Sequence, residues 1–149
     1  MWMSDLNPAV ASDLAALGVH VGSSNAEVVR QCNVLLVATK PDQVCPALQR
    51  ERVHIAERNL LVVSVAAGLT LATLEAALLP KSRVVRVMPN TPALVGSGAT
   101  GFAMGGAATD HDAQVVAAIF NSIGKGEARK QRTLRPCCGV WWEFACSCG

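Results

Sequence analysis

Residues 83–92 read Arg-Val-Val-Arg-Val-Met-Pro-Asn-Thr-Pro, and no other stretch constrains the fold of this chain so tightly. Val84, Val85 and Val87 are β-branched and favour an extended strand. Pro89 and Pro92 fix their own φ angles and donate no backbone N–H, which stops the run at Met88. Met88 and Thr91, each followed by a proline, are pushed toward extended conformations as well. Asn90 and Thr91 therefore stand on a stiff turn beyond the carboxyl end of a strand. In open α/β sheets that edge is where ligands bind, so Met88, Asn90 and Thr91 are the leading active-site candidates. A plain loop would need only one proline and any polar residue.

Two other segments repeat the plan. The segment at residues 34–41 ends in Ala38-Thr39-Lys40-Pro41 and the segment at residues 60–68 ends in Val65-Ala66-Ala67-Gly68, with continuous apolar strands expected over residues 33–39 and 60–66. Helical patterns lie between them. Asn7-Pro8 opens one, with Val10, Leu14 and Leu17 at helical spacing and Gly18 as its stop. Val19-His20-Val21 is a short strand, and Ser24-Asn25-Ala26-Glu27 matches a capping box. Pro41-Asp42 opens a helix to about Gln49, after which residues 50–58 read as a polar, solvent-facing stretch. Thr70 caps a helix carrying Leu71, Leu74 and Leu78 on one face, ended by Pro80. Residues 99–104 suit one more strand. Thr109, with Asp110 and Asp112 in the first turn, starts a last helix whose buried stripe is Val116, Ile119, Phe120 and Ile123 and whose stop is Gly124. Strands alternating with helices of ten to fifteen residues predict βαβ units. The fold class is α/β: a Rossmann-like, mostly parallel sheet with helices on both faces, folding as one sheet over residues 5–127.

Composition narrows the function. The chain has 149 residues, of which 51% are hydrophobic and only 4% aromatic, a balance suited to buried parallel strands under Ala-rich helices. No apolar run approaches the ~20 residues of a membrane span, and the first residues lack the pattern of a secretory signal; a cytoplasmic location is expected. The net charge of +2 conceals an asymmetry. Residues 1–127 carry nine Lys/Arg against ten Asp/Glu, whereas residues 128–149 carry four Lys/Arg against Glu143 alone. A nearly neutral body argues against nucleic acid as a partner.

Taken together, the three strand ends resemble pyrroline-5-carboxylate reductase. The resemblance runs from about Ser4 to Glu127, and its most specific piece is Arg86-Val87-Met88-Pro89-Asn90-Thr91-Pro92 followed by Gly98-Ala99-Thr100. It implies NAD(P)H-dependent reduction of the C=N bond of 1-pyrroline-5-carboxylate to L-proline, a step in proline biosynthesis. It also implies a Rossmann-like cofactor domain over residues 1–127, truncated at both ends. The family's opening strand with its G-x-G-x-x-G turn is expected to be missing, as is its C-terminal helical domain, which holds the substrate carboxylate and makes the homo-oligomer interface. The chain alone is accordingly expected to be inactive. The alternative is a non-catalytic truncated isoform or fragment, acting at most as a weak nucleotide- or subunit-binding module. A more distant reading, a deazaflavin- and NADP-using reductase, is opposed by the motif at 88–92.

The resemblance further implies cofactor contacts. Lys40, beside Ala38, Thr39 and Pro41, would meet a phosphate or ribose; without the resemblance it is equally a solvated loop lysine. Val65, Ala66, Ala67 and Gly68 would leave room for the nicotinamide and its ribose, or serve simple turn chemistry with Gly68 at positive φ. Asn25 would lie near the adenosine half, or help cap a helix. Asp5 is a candidate for the acidic residue that holds the ribose hydroxyls in NAD binders. Ser4 and Asn7 could instead donate to a 2′-phosphate, which favours NADP(H) over NAD.

Three patterns carry less. Residues 96–101 satisfy G-x-G-x-x-G letter for letter, but they do not sit between a first strand and a helix, and a tight turn or flexible active-site loop is expected instead. His20, His54 and His111 share no ligand spacing, Cys32 and Cys45 read as small buried hydrophobes, and no metal is expected. Residues 128–149 bring Cys137, Cys138, Cys146 and Cys148, Trp141-Trp142 and a basic run without periodicity. They read as an irregular tail foreign to the family, joined at a truncation point.

Overall fold

A computed structural model describes residues 1–5, 7–90 and 98–128. Thr91, Pro92, Gly96, Ser97 and the tail from residue 129, with its four cysteines, lie outside the described residues.

The strands are β1 (Trp2–Met3), β2 (His20–Val21), β3 (Val34–Val37), β4 (Leu61–Ser64), β5 (Arg83–Met88), β6 (Gly98–Met104) and β7 (Gly124–Ala128). The helices are α1 (Pro8–Ala15), α2 (Asn25–Gln31), α3 (Pro41–Glu57), α4 (Leu71–Ala76) and α5 (Asp110–Asn121). β3 to β7 form one five-stranded sheet in chain order. β3, β4 and β5 run parallel, with Val34 opposite Leu61 and Leu61 opposite Arg83. β6 turns back antiparallel to β5, and β7 runs parallel to β6.

The expected single sheet is not what forms. Among the described residues, β1 and β2 pair only with each other, in parallel. Each is two residues long, too short to carry a ladder to a distant strand, and α2 joins the two units by packing against both β1 and α3.

Alternation along the strands sends side chains to two cores. Val37, Val62, Val84 and Ala103 face Val29 of α2, Val44, Leu48 and Ile55 of α3, and Leu71 and Leu74 of α4. Leu61, Val63, Val85, Val87 and Phe102 face Val116 and Phe120 of α5. Helices thus cover both faces of the large sheet.

Caps behave as their chemistry dictates. Asn7 Oδ1 accepts from Ala9 N at 3.1 Å, Thr70 Oγ1 accepts from Thr73 N at 3.1 Å, and Thr109 and Asp112 exchange bonds in a full capping box. The box expected at Ser24 is only half formed. Ser24 Oγ accepts from Glu27 N, while the Glu27 carboxylate accepts from Ser23 N at 2.8 Å rather than from the cap residue.

Four other expectations are corrected. α3 continues to Glu57, because Ile55 falls on the face of Val44 and Leu48 and is buried with them. Leu17 lies beyond α1 and is 79% exposed. Ile119 and Ile123 are exposed, since α5 turns Val116 and Phe120, with Ala113 and Ala117 beside them, onto the sheet and ends at Asn121. Gly124 is not a helix stop but the first residue of β7, at φ 153°. A Cβ there would stand 1.9 Å from the Gly98 carbonyl oxygen, so this strand pair requires glycine.

Candidate functional site

Because β3, β4 and β5 are parallel, their carboxyl ends open onto one edge of the sheet, and the antiparallel β6 begins there too. The loops at that edge hold most of the residues singled out from the sequence.

At β5, the buried strand ends at half-buried Met88, Pro89 and Asn90. Met88 pairs with Gly101, and Asn90 Oδ1 accepts from Ala99 N at 2.9 Å, which ties the turn to the start of β6. Thr91 lies outside the described residues. Gly98 and Gly101 belong to β6, so the glycines at 96–101 do not make a phosphate turn ahead of a helix.

At β3, Val37 is buried and Ala38, Thr39, Lys40 and Pro41 are all exposed. Pro41 opens α3, where a missing N–H costs nothing. Lys40 occupies the N-cap, with φ −58° and ψ 145°, and makes no capping bond. An ammonium has donors only and cannot cap N–H groups. It also meets the positive end of the helix dipole, with Asp42 in the first turn as the local counter-charge.

At β4, Val65 is half-buried and packs toward α5, and Ala66 is buried in the opposite core with its N–H donated to Ser64 Oγ at 3.4 Å. Only Ala67 and Gly68 present open surface. Gly68 has φ 80°, and a Cβ there would meet nothing within 4 Å, so glycine serves the backbone angle and not a close approach.

The remaining candidates follow the short strands. Ser4 is half-buried after β1. Asn7 caps α1, and its own N–H donates to Asp5 Oδ1 at 2.8 Å, so the Asp5 carboxylate serves the turn. Asn25 is exposed and is not the cap of α2; that role belongs to Ser24. Asn25 is therefore released from the capping duty proposed as its bland role.

Sequence reasoning passed over Arg86 as a site residue. It lies in the middle of the run that defines β5 and is only 2% exposed, and burial pulls its guanidinium below the usual range. A charged residue inside a β-branched run was the available signal. The described His, Cys, Asp and Glu side chains form no group of three able to hold a metal. Cys32 and Cys45 are half-buried against the helical core, and burial raises the Cys32 thiol. No helix among the described residues is long and apolar enough to cross a membrane.

The fold defines a Rossmann-like α/β protein whose exposed loops converge on the carboxyl edge. Over 122 residues, 81% of its length, the chain is 41% identical to a pyrroline-5-carboxylate reductase of Methanosarcina acetivorans and covers 45% of that protein. Among solved structures, the reductase of Coxiella burnetii superimposes with a TM-score of 0.83 at 24% identity, over 97% of this chain and 56% of the other. That of Plasmodium falciparum, solved with NADP bound, superimposes with a TM-score of 0.72 at 27% identity, over 87% and 51%. No family model matches the chain. Homology to the pyrroline-5-carboxylate reductases thus bears out the resemblance carried by residues 86–92, and the chain spans about half the length of the relatives it matches.

Proposed function

We propose that this chain is a cofactor-binding portion of a pyrroline-5-carboxylate reductase, with NADP(H) favoured over NAD. The observation that carries this reading is the 41% identity across four fifths of the chain, joined to the convergence of the loops after β3, β4 and β5. A reduced nicotinamide, when bound, supplies hydride for the C=N bond of 1-pyrroline-5-carboxylate.

The residues fit two ends of such a cofactor. Exposed Lys40 offers a cation to a phosphate, with Ala38, Thr39 and Pro41 beside it, and Asn25, Ser4 and Asn7 offer polar groups toward the adenosine end. The open strip at Ala67 and Gly68, next to Val65 and the Ala66 backbone, has room for a flat ring. Met88, Asn90 and Thr91 are assigned to the reacting end. Asn90 already gives its carbonyl oxygen to Ala99 N, which leaves its amide N–H groups as donors. No turn is assigned to the pyrophosphate: the Gly105-Gly106 turn ahead of α5 follows the antiparallel β6 and lies at the edge opposite the loops after β3, β4 and β5. Substrate turnover and assembly into a homo-oligomer are assigned to the family's reductase as a whole and not to this chain by itself, while cytoplasmic location and the division into a domain at 1–127 and a separate tail belong to the same proposal.

A second reading is a non-catalytic module that binds nucleotide weakly. Titration of the chain with NADPH, followed by fluorescence, tests both. Lys40→Ala should weaken binding by about 1–2 kcal/mol, the scale of a charge-assisted hydrogen bond. Ala67→Phe should obstruct the ring. Unchanged affinity in both variants returns these residues to a structural role.

A further inference from the structure

A guanidinium buried in a sheet calls for an explanation. Arg86 is 2% exposed, and its register neighbours are Ser64 on β4 and Ala103 on β6, both buried. Alternation along β5 turns it to the same face as Val84 and Met88, the face covered by α2, α3 and α4. Taking a charge out of water is expensive, and an apolar residue of similar volume at such a place is often neutral or stabilising. The guanidinium is therefore held by its surroundings, and one of those contacts bears on the turn that follows β5. Nη2 donates to Met88 Sδ at 3.1 Å.

Methionine has three rotatable side-chain bonds and fills whatever space it is offered. Met88 stands at the last position of β5, where the turn begins, and the far side of that turn is pinned by the bond from Ala99 N to Asn90 Oδ1. The two ties together leave the 88–90 turn little freedom. We propose that Arg86 is a positioning residue: its buried guanidinium grips the Met88 thioether and sets the 88–90 turn in the conformation a ligand meets. The effect on ligand rests on the cofactor reading above; the effect on Met88 does not. Lysine would not replace it, because a single flexible ammonium lacks the planar fork of donors that lets a guanidinium hold Met88 and its other surroundings at once.

The experiment uses the whole chain with its methionine methyl groups labelled with 13C, and reads three quantities: the Met88 methyl resonance, the melting temperature and the NADPH affinity. In Arg86→Met the melting temperature should hold or rise, the Met88 methyl should collapse toward the averaged position of a free methionine, and NADPH affinity should drop about tenfold, the scale of one charge-assisted hydrogen bond. Arg86→Lys should fail to rescue the methyl signal. In Met88→Leu, which removes the sulfur, the further change Arg86→Met should cost no additional affinity. An unmoved Met88 methyl in Arg86→Met overturns the proposal. So does loss of cooperative unfolding in both Arg86 variants, which would assign the guanidinium to the fold. Failure of the unaltered chain to bind NADPH would count against the cofactor reading alone, since the methyl signal still decides whether Arg86 positions Met88.

Discussion

Arg83, the first residue of β5, donates from Nη1 to Asp112 Oδ1 at 2.6 Å and so joins the sheet to the first turn of α5. The same guanidinium donates through Nε to Asn59 Oδ1 at 3.2 Å and through Nη2 to the Asn59 carbonyl. Asn59 has φ 49°, a left-handed turn between α3 and β4 that asparagine tolerates well. One side chain thereby fastens three elements at the edge opposite the candidate site. Asp112 is 1% exposed and its other oxygen accepts from Thr109 N and Oγ1, both at 2.9 Å.

Asp112→Ala removes the ion pair and half the capping box together and should destabilise the chain by on the order of 3 kcal/mol, the range for breaking a buried pair. The pH dependence follows. Burial pushes the Asp112 carboxyl up, but the Thr109 N–H and hydroxyl and then Arg83 outweigh it, and the net shift is downward. A depressed folded-state pKa contributes stability above the unfolded value of about 3.9 and loses it as pH falls toward the folded value. Melting temperatures measured from pH 6 to pH 3 should therefore fall less steeply for Asp112→Ala than for the unaltered chain. Parallel curves would show that Asp112 contributes nothing to acid sensitivity.

Gly124→Ala should disrupt the pairing of β6 with β7, because its Cβ would stand 1.9 Å from the Gly98 carbonyl oxygen and the φ of 153° disfavours a side chain. A loss of about 2–4 kcal/mol is expected, the scale of overpacking combined with backbone strain. Gly106→Ala is the matched control, since a Cβ there meets nothing within 4 Å. Urea denaturation of both variants checks this, and equal midpoints would contradict the clash.

These two sites mark what could be read from the residues and what could not. Strand β5 was legible because a β-branched run stopped by Pro89 is a local signal, and the caps at Asn7, Thr70 and Thr109 are local as well. The carboxyl-edge position of Lys40, Ala67 and Asn90 followed from strand ends alone. Burial was harder. Ile55 and Ile119 both follow helical spacing, yet only Ile55 meets a neighbouring element. The separation of β1 and β2 from the larger sheet depends on pairing between distant segments, which periodicity does not encode. Arg86 escaped notice for a related reason: its thioether partner two residues away becomes visible only once alternation puts both on one face.

The Asn90–Ala99 tie should govern the order of the turn more than the stability of the fold. Asn90→Ala deletes the acceptor of a half-buried backbone N–H and should cost about 1 kcal/mol. Hydrogen exchange should quicken at Ala99 while Val84 and Val85, in the buried ladder, keep their protection. Equal acceleration at all three amides would mean that the turn and the sheet open as one unit and that the tie has no local role.

The unpaired edge of the larger sheet should make the chain associate. β3 is the end strand of that sheet, so one side of Val34–Val37 presents backbone N–H and C=O groups that pair with no described strand. Leu36 on it is 53% exposed, and Val21, at the end of β2, is 43% exposed. Open edges with apolar side chains template pairing with a second chain, and a charge on the edge suppresses it. Sedimentation velocity at rising concentration should show self-association of the unaltered chain, reduced in Leu36→Lys. The melting temperature at low concentration should barely change, because Leu36 contributes little to either core. A lysine variant that associates as strongly as the parent would locate the contact elsewhere, whereas a monomer at all concentrations would show that the β3 edge is harmless as it stands.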